Sequence, residues 1–457
     1  MNWKRSFMIA AGIGVVAIVA LGAARMSDPK LPPAPASSAA LIEEGRYLAI
    51  AGDCAACHTR AGGPTMAGGF PLQTPFGVIY SPNLTPDKET GIGDWSRADF
   101  IRAMREGLGP HRGNLYPAFP YPYYARVTVK DLDAIYAYLM SQPAVSYEAP
   151  KNEMEFPYNI RLAVTGWNWL FFRSREFEPD PAQSAEWNRG AYLFDGLGHC
   201  AACHSPRNAL GAEKTGQKAQ GGLIDTWWAP DLTGSPRTGL GGWTKEEIAQ
   251  FLKTGVNAHT QVYGSMTEVI QNSTSLMTDA DLAAMATYIK SLPAAKTEAP
   301  AKVDAAVVAA GQPVYFANCA LCHGLDGKGL PGLYPGVAAN AGVQAPNPTS
   351  VLHIILAGNK KGPEVTIKGI DSMPAFGDKL SDKDVAAVAT YVRNSFGNAA
   401  PAVTAQEVAD LRAELAKRKV AEVVPAPPAA APAAPPAAPA VPPATQEPMQ
   451  TGPAKAG

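Results

Sequence analysis

All six cysteines of this 457-residue chain lie in three Cys-x-x-Cys pairs, and a histidine directly follows each pair. The three motifs are Cys54/Cys57/His58, Cys200/Cys203/His204 and Cys319/Cys322/His323. Two thiols at this spacing can each bond to a vinyl group of one haem, and the adjacent histidine can then bind the iron. Structural zinc and thioredoxin-like sites do not fit three such widely separated pairs. The sequence therefore predicts three covalently bound haem c groups.

The charge balance argues against nucleic-acid binding. The chain carries 39 basic and 40 acidic side chains, for a formal net charge of −1. A nucleic-acid-binding protein normally shows a basic excess or a basic stripe, and neither is present. The apolar content of 46% is ordinary for a globular protein.

The N-terminus has the pattern of a targeting segment. Lys4 and Arg5 precede an uncharged run at residues 7–24, which as a helix would span roughly 27 Å. Residues 1–29 are therefore predicted to be a membrane anchor or a cleaved signal peptide. In both cases the positive end stays in the cytoplasm and the rest is exported. We expect the chain on the periplasmic side of the bacterial inner membrane, where haem c is attached.

The chain repeats itself around the three motifs. A short helical stretch with a glycine and a tyrosine precedes each cysteine pair, and glycine- and proline-rich loops follow it. Each unit ends in a helix that begins at a hydroxyl residue with a carboxylate three positions on, a variant of the capping box: Thr128/Asp131, Thr278/Asp281 and Ser381/Asp384. A tyrosine recurs later in each of these helices, at Tyr138, Tyr288 and Tyr391.

These repeats predict an all-α fold of three tandem small cytochrome c domains, with loops that wrap the haems. The expected domains are residues 30–150, 186–295 and 305–398, joined by an aromatic-rich linker at 151–185 and a short linker at 296–304. Residues 156–172 of the longer linker either pack on the domains or form a patch for a partner or the membrane surface. Residues 399–457 are predicted to be a disordered Ala/Pro-rich tail, although 404–420 could form one more helix.

The second axial ligand of each iron has to come from outside the Cys-x-x-Cys-His motif. Met266 and Met373 precede the final helices of the second and third units and are predicted to be thioether ligands. Phe119 occupies the corresponding place in the first unit and cannot bind iron. His111, another methionine or an open site remain, and Met104 fits a core position better. The other histidines (His199, His259 and His353) are expected to be structural or exposed.

Further stretches resemble the triheme cytochrome c subunits of membrane-bound bacterial alcohol, aldehyde, gluconate, sorbitol and fructose dehydrogenases. The resemblance rests on the Cys54 and Met266 regions and on residues 45–48, 86–93, 115–118, 228–233, 239–243 and 253–257. It implies that a separate catalytic subunit oxidises the substrate and that this chain passes the electrons to ubiquinone. The family usually has methionine where Phe119 stands, and phenylalanine there resembles the branch that accompanies molybdenum-type aldehyde or N-heterocycle dehydrogenases.

Three functions follow from these patterns. The favoured one is an electron-transfer subunit of a quinone-dependent dehydrogenase complex, of alcohol or aldehyde type, without its own substrate site. One alternative is an anchored cytochrome that donates to a terminal oxidase. The other is a haem peroxidase that uses the first haem, for which His111 and Arg112 would have to act near the iron.

Overall fold

The computed structural model describes residues 30–296, 302–330, 332–359 and 373–417. The predicted anchor or signal at 1–29 and residues 418–457 of the predicted tail lie outside these ranges. Within them, no helix combines the length and the apolar character needed to cross a bilayer.

The helices and strands follow the order of the three sequence repeats. The first unit contains α1 (Ala39–Ala51), α2 (Cys54–His58), β1 (Pro71–Thr74), β2 (Gly77–Tyr80), α3 (Arg97–Glu106), α4 (Tyr121–Tyr124), α5 (Val129–Met140) and β3 (Glu153–Met154). Helix α6 (Ala163–Phe171) connects it to the second unit, which contains α7 (Ala185–Tyr192), α8 (Ala201–His204), β4 (Gln220–Ile224), β5 (Trp227–Asp231), α9 (Lys245–Thr254), α10 (Met266–Asn272) and α11 (Asp279–Ser291). The third unit contains α12 (Ala305–Ala310), α13 (Gln312–Asn318), α14 (Ala320–His323), α15 (Thr349–Ala357), α16 (Asp382–Asn394) and α17 (Ala405–Lys417).

Two small antiparallel sheets correct the prediction of an all-α fold. Strands β1, β2 and β3 form one sheet, with Leu72 opposite Ile79, and β4 and β5 form the other, with Leu223 opposite Trp228. The hairpins β1–β2 and β4–β5 come from the loops that follow the first two cysteine motifs, and β3 joins the first sheet from the segment after α5. These loops contain short β-branched and aromatic runs that pair as hairpins, a signal hidden among their glycines and prolines.

In each unit the first long helical segment crosses the final helix at a glycine. A Cβ atom added to Gly45, Gly190 or Gly311 would lie 1.8, 2.0 or 2.0 Å from a backbone oxygen of the final helix. The Cβ atoms of the recurring tyrosines (Tyr138, Tyr288 and Tyr391) lie within 2.9 Å of the same added atoms. The repeated glycine and tyrosine therefore mark one structural feature, a helix crossing close enough to exclude any side chain.

The first two units share one hydrophobic core, whereas the third has cores of its own. A single cluster of buried side chains runs from Leu48 in α1 to Ile289 in α11 and includes Phe194, which is fully buried. The third unit packs separately around residues such as Val385 and Tyr315. The first two units therefore behave as one folding body.

Two tyrosines exchange hydrogen bonds between the first two units. The Tyr47 hydroxyl donates to Asp281 Oδ2 at 2.7 Å and accepts from the backbone N–H of Thr278. Reciprocally, Tyr192 donates to Asp131 Oδ2 at 2.5 Å and accepts from the N–H of Thr128. Each tyrosine hydroxyl thus accepts the N-cap N–H of the final helix of the other unit. In the third unit, the carboxylate of Asp384 accepts the corresponding N–H of Ser381. Burial opposes ionisation of Asp281, but hydrogen bonds from Arg189 and Tyr47 outweigh it and hold the pKa of that carboxyl below its usual value.

Removal of either hydroxyl should weaken the pairing of the first two units. We expect Tyr47→Phe and Tyr192→Phe each to lower the free energy of unfolding by about 1–3 kcal/mol, because each removes a hydrogen bond to a part-buried carboxylate and leaves the N-cap N–H of the other unit without its acceptor. Denaturant unfolding measures this loss of unfolding free energy. Tyr80→Phe is the matched control, since Tyr80 donates to Glu153 within the first unit at an exposed position. Equal effects for the control and for Tyr192→Phe would contradict the reciprocal capping.

Helix α17 belongs to the third unit rather than to the predicted tail. Thr404 and Glu407 form the hydrogen bonds of a capping box, and Val408 is fully buried in the core around Val385. Arg412 pairs with Asp382 at 2.8 Å. The possible helix at 404–420 is therefore present as Ala405–Lys417, and the start of the predicted tail at residue 399 is too early.

Candidate haem sites

Each Cys-x-x-Cys-His motif folds into a short helical turn. The first is α2, and the other two are α8 and α14 with Cys200 and Cys319 as their N-caps. The backbone N–H of His204 donates to the backbone oxygen of Cys200 at 3.0 Å, and the backbone N–H of His323 donates to the backbone oxygen of Cys319 at 3.0 Å. One helical turn brings the first cysteine and the histidine to the same face. The second cysteine follows close by, so the three side chains can reach one ligand.

The six cysteine thiols form no disulfide bonds. The structure contains six free cysteines: Cys54, Cys57, Cys200, Cys203, Cys319 and Cys322. Burial raises the pKa of Cys54 and Cys200 to about 12, which keeps these thiols protonated at neutral pH. Among the described residues, no three His, Cys, Asp or Glu side chains come together as a metal site. Burial thus disfavours the thiolate at Cys54 and Cys200, whereas thioether bonds need no standing thiolate.

The third motif is more open to solvent than the second. The Cys322 N–H donates to the Cys319 oxygen at 3.2 Å, which closes the turn, and both cysteines are only half-buried. Leu321, between them, is 97% exposed, whereas the corresponding Ala202 of the second motif is buried. The turn thus holds Cys319, Cys322 and His323 in the order that haem attachment needs, on the outside of the third unit. Attachment through these two cysteines, as through the other four, stays a prediction.

A proline carbonyl fixes each motif histidine. The Nδ1 atoms of His58, His204 and His323 lie 2.8, 2.7 and 2.9 Å from the carbonyl oxygens of Pro82, Pro230 and Pro335, respectively. A carbonyl only accepts, so Nδ1 carries the proton and Nε2 keeps a lone pair for a metal. Burial lowers the pKa of all three histidines and favours the neutral ring that iron requires.

Sequence reasoning missed these three prolines. A signal was present, since Pro82 opens Pro-Asn-Leu-Thr and Pro230 opens Pro-Asp-Leu-Thr. Pro335 lacks this context, and its role emerges only from its position opposite His323. Two thiols, a fixed imidazole and an available Nε2 fit haem c, whose iron takes up and releases one electron at a time.

The predicted methionine ligands occupy different settings. Met266 is the first residue of α10, half-buried against the shared core. Met373 is also half-buried, and its carbonyl accepts from the Asn359 N–H at 3.1 Å. Residues 360–372, which lead into Met373, lie outside the described ranges. Both assignments remain predictions.

In the first unit, an aromatic cluster surrounds Phe119. Its ring centroid lies 5.5 Å from that of Tyr124, whose hydroxyl donates to the carbonyl of Gly52, two residues before Cys54. Met104 is buried in the core, as the sequence predicts. His111 is exposed at the tip of a loop closed by the bridge between Leu108 and Asn114. Its role as an iron ligand stays a prediction.

The remaining histidines take part in packing between elements. His353 stacks on Trp227 with centroids 3.7 Å apart and joins the third unit to the second. His259 stacks on Trp243 and approaches Glu247 at 3.1 Å. The His199 ring packs edge-on against Tyr124, and burial lowers its pKa to about 4.

Comparison with known proteins identifies cytochrome profiles in three stretches of the chain. The Cytochrome c family profile matches residues 42–143 and 188–293, and the profile of Cytochrome C oxidase, cbb3-type, subunit III matches residues 306–392. The gluconate 2-dehydrogenase cytochrome c subunit of Pantoea cypripedii is 41% identical over 404 residues, covering 82% of this chain and 90% of that relative. The chain belongs to the family of cytochrome c subunits of dehydrogenases. Its cytochrome c domains imply covalently bound haem c and a role in electron transfer.

Two further relatives are also named as subunits of dehydrogenases. The fructose dehydrogenase cytochrome subunit of Gluconobacter japonicus is 38% identical over 416 residues, covering 83% of this chain and 85% of that relative. A nicotinate dehydrogenase subunit of Pseudomonas putida is 45% identical over 384 residues, covering 82% of this chain but 32% of that relative. The chain thus spans about a third of the length of the nicotinate dehydrogenase subunit.

Proposed function

We propose that this chain carries three haem c groups and passes electrons from a separate dehydrogenase catalytic subunit to ubiquinone, on the periplasmic side of the inner membrane. The observation that carries the proposal is the threefold recurrence of a Cys-x-x-Cys-His turn whose histidine is fixed by a proline carbonyl. Relatives named as cytochrome subunits of gluconate and fructose dehydrogenases support the catalytic partner. The chain itself contributes the attachment sites and the cores that hold them.

The partner we favour oxidises an aldehyde or an N-heterocycle. The resemblance implies that the family usually has methionine where Phe119 stands and that phenylalanine accompanies molybdenum-type dehydrogenases; the 45% identity to the nicotinate dehydrogenase subunit supports the same choice. An alcohol or sugar dehydrogenase remains the alternative within the same family.

Isolation of the complex tests this proposal. The chain is purified with its partners from native membranes in mild detergent, and candidate aldehydes, N-heterocycles and alcohols are added without oxygen. We expect reduction of the haem absorbance by an aldehyde or N-heterocycle, with reoxidation by added ubiquinone. A chain that purifies alone and shows no substrate-driven reduction would contradict the dehydrogenase assignment.

One observation supports a second candidate, donation to a terminal oxidase. The third unit matches the profile of Cytochrome C oxidase, cbb3-type, subunit III over residues 306–392. Rapid haem reoxidation by an oxidase preparation in the presence of oxygen, combined with no reoxidation by ubiquinone, would favour this function over the first.

The methionine ligands predict an order of redox potentials. Thioether ligation raises the potential of a haem, so the haems on His204 and His323 should lie above the haem on His58. Met266→Leu and Met373→Leu should each lower the potential of one haem and remove its ferric methionine–iron absorption band. Met104→Leu is the control, because Met104 is a buried core residue. A redox titration that gives the haem on His58 the highest potential would contradict this order.

A further inference from the structure

Helix α6 and the turn before it expose large apolar side chains. Leu162, Trp169 and Leu170 have relative exposures of 76%, 48% and 70%, and Phe156 and Ile160 reach 79% and 46%. Positions 162, 169 and 170 share one face of a helix by their spacing. Soluble surfaces normally scatter such side chains singly, and a continuous apolar group marks a contact surface. We call these five side chains the α6 platform.

The opposite face of α6 is fixed to both of the first two units. Asn168 Oδ1 accepts from the Tyr121 hydroxyl at 2.5 Å, and the Thr165 hydroxyl accepts from Asn114 at 2.9 Å. On the second unit, Trp167 Nε1 donates to the carbonyl of Leu210 at 2.9 Å. The helix is therefore held rigidly with its apolar platform outward, and the exposure is a built feature of the fold.

The charged side chains within residues 156–175, the segment that carries the platform, are all positive. This segment contains three arginines and no Asp or Glu, and Glu155 and Glu176 border it. Arg161 donates to the carbonyl of Asn114, and Arg173 donates to the carbonyls of Trp169 and Phe172, so neither of these bonds neutralises a guanidinium. Arg175 pairs with Glu178, with both side chains exposed. An apolar surface flanked by arginines suits anionic lipid headgroups over acyl chains.

We propose that the α6 platform rests on the headgroup–acyl boundary of an anionic bilayer. Trp169 and the aliphatic side chains enter the boundary, and Arg161 and Arg173 contact lipid phosphates. This inference deepens the proposed function, which places the chain at the inner membrane, by assigning the surface that makes the contact.

The path of the N-terminus supports a lipid occupant rather than a protein. At the first residue of α3, Arg97 donates to the carbonyl of Pro32 at 2.9 Å, and near its last residue Arg105 pairs with Glu176, just beyond α6, at 2.8 Å. A ten-residue helix such as α3 is about 15 Å long. Pro32, eight residues beyond the predicted apolar run at 7–24, thus lies roughly one short helix away from the flank of the platform. One bilayer can hold the run and meet the platform.

This docking would bring the first unit close to the membrane. Tyr121, which bonds to Asn168, and Phe172 pack edge to face with centroids 5.0 Å apart, and Phe119 lies in the same cluster. Only α6 therefore separates the platform from the Phe119 segment of the first unit. A helix with its side chains is about 10 Å across, so a lipid-soluble electron acceptor at the platform would lie near this unit.

Site-specific photocrosslinking of the haem-loaded full chain tests the docking. p-Benzoylphenylalanine replaces Leu170, and the protein is reconstituted into vesicles of phosphatidylethanolamine and phosphatidylglycerol. The control carries the same label at Leu276, which is 50% exposed on the second unit. We expect phospholipid adducts on the peptide that contains position 170 and only background at position 276. The crosslink shows which residue contacts lipid, so membrane binding through residues 7–24 does not hide a difference between positions 170 and 276.

A variant that removes one positive charge tests the role of the arginines beside the platform. Arg173→Gln should lower the adduct yield at position 170 about fivefold in phosphatidylglycerol vesicles and leave it unchanged in phosphatidylcholine vesicles. An adduct yield at position 170 equal to that at 276 would overturn the proposal, and so would crosslinking of position 170 to a protein in native membranes. Substrate-driven haem reduction is followed in the same membranes. Reduction without lipid adducts refutes only the docking, whereas adducts without reduction refute only the dehydrogenase assignment.

Discussion

Cys200→Ser combined with Cys203→Ser should abolish electron transfer from substrate to ubiquinone. The proposed function predicts that the haem count falls from three to two per chain, because His204 alone cannot hold a haem without its thioether bonds. The second unit lies in one continuous core with the first, so loss of its haem should also loosen the shared body. Pyridine haemochrome assays give the haem count, and quinone reduction in membranes gives the activity.

His259→Gln is the matched control for this pair of substitutions. His259 belongs to the same unit but stacks on Trp243 and lies outside the Cys-x-x-Cys-His motif. It should retain the full haem count and the quinone activity. Unchanged quinone reduction in the double cysteine variant would show that electrons bypass the second unit and would contradict its place in the chain of transfer.

Gly190→Ala should prevent stable folding of the second unit. The new Cβ would lie 2.0 Å from the backbone oxygen of Ala284, so α7 and α11 could not keep their crossing distance. We expect the free energy of unfolding to fall by at least about 3 kcal/mol, since the clash is with backbone that no side-chain rotation relieves. Thermal or denaturant unfolding of the haem-loaded chain measures the loss.

Gly166→Ala provides the comparison. Gly166 also lies in a helix, but no atom lies within 4 Å of an added Cβ, and alanine favours helix more than glycine does. This variant should be neutral or more stable by up to about 1 kcal/mol. A loss of stability at Gly190 no larger than that at Gly166 would show that the helices separate easily and that the crossing is not essential.

The local features of the fold could be predicted from the sequence. The final helices begin after Thr128, Thr278 and Ser381, as the capping pattern predicts, because a hydroxyl N-cap and its carboxylate act within one turn. The recurrence of glycine and tyrosine marked the helix crossings, although the pattern alone did not say what the two residues did. The candidate haem attachment residues could be named for the same reason, since their spacing is itself the signal.

Long-range features could not be predicted in this way. Tyr47 and Asp281 are 234 residues apart in the chain, and nothing in the pattern of either segment indicates that the first unit caps a helix of the second. The proline carbonyls opposite the histidines were missed because the acceptor is a backbone atom, and the repeat at Pro82 and Pro230 does not show which side chain that atom will contact. The small sheets were missed because the glycines and prolines of these segments indicate loops more strongly than their short apolar runs indicate hairpins.

Intact mass spectrometry of the chain purified from its native membranes counts the haems that it carries. We expect the mass of the polypeptide plus three haems, with tryptic peptides that place one haem on each of the three motifs: Cys54/Cys57, Cys200/Cys203 and Cys319/Cys322. A chain that carries fewer than three haems when fully matured, or a motif whose thiols remain free, would contradict this expectation.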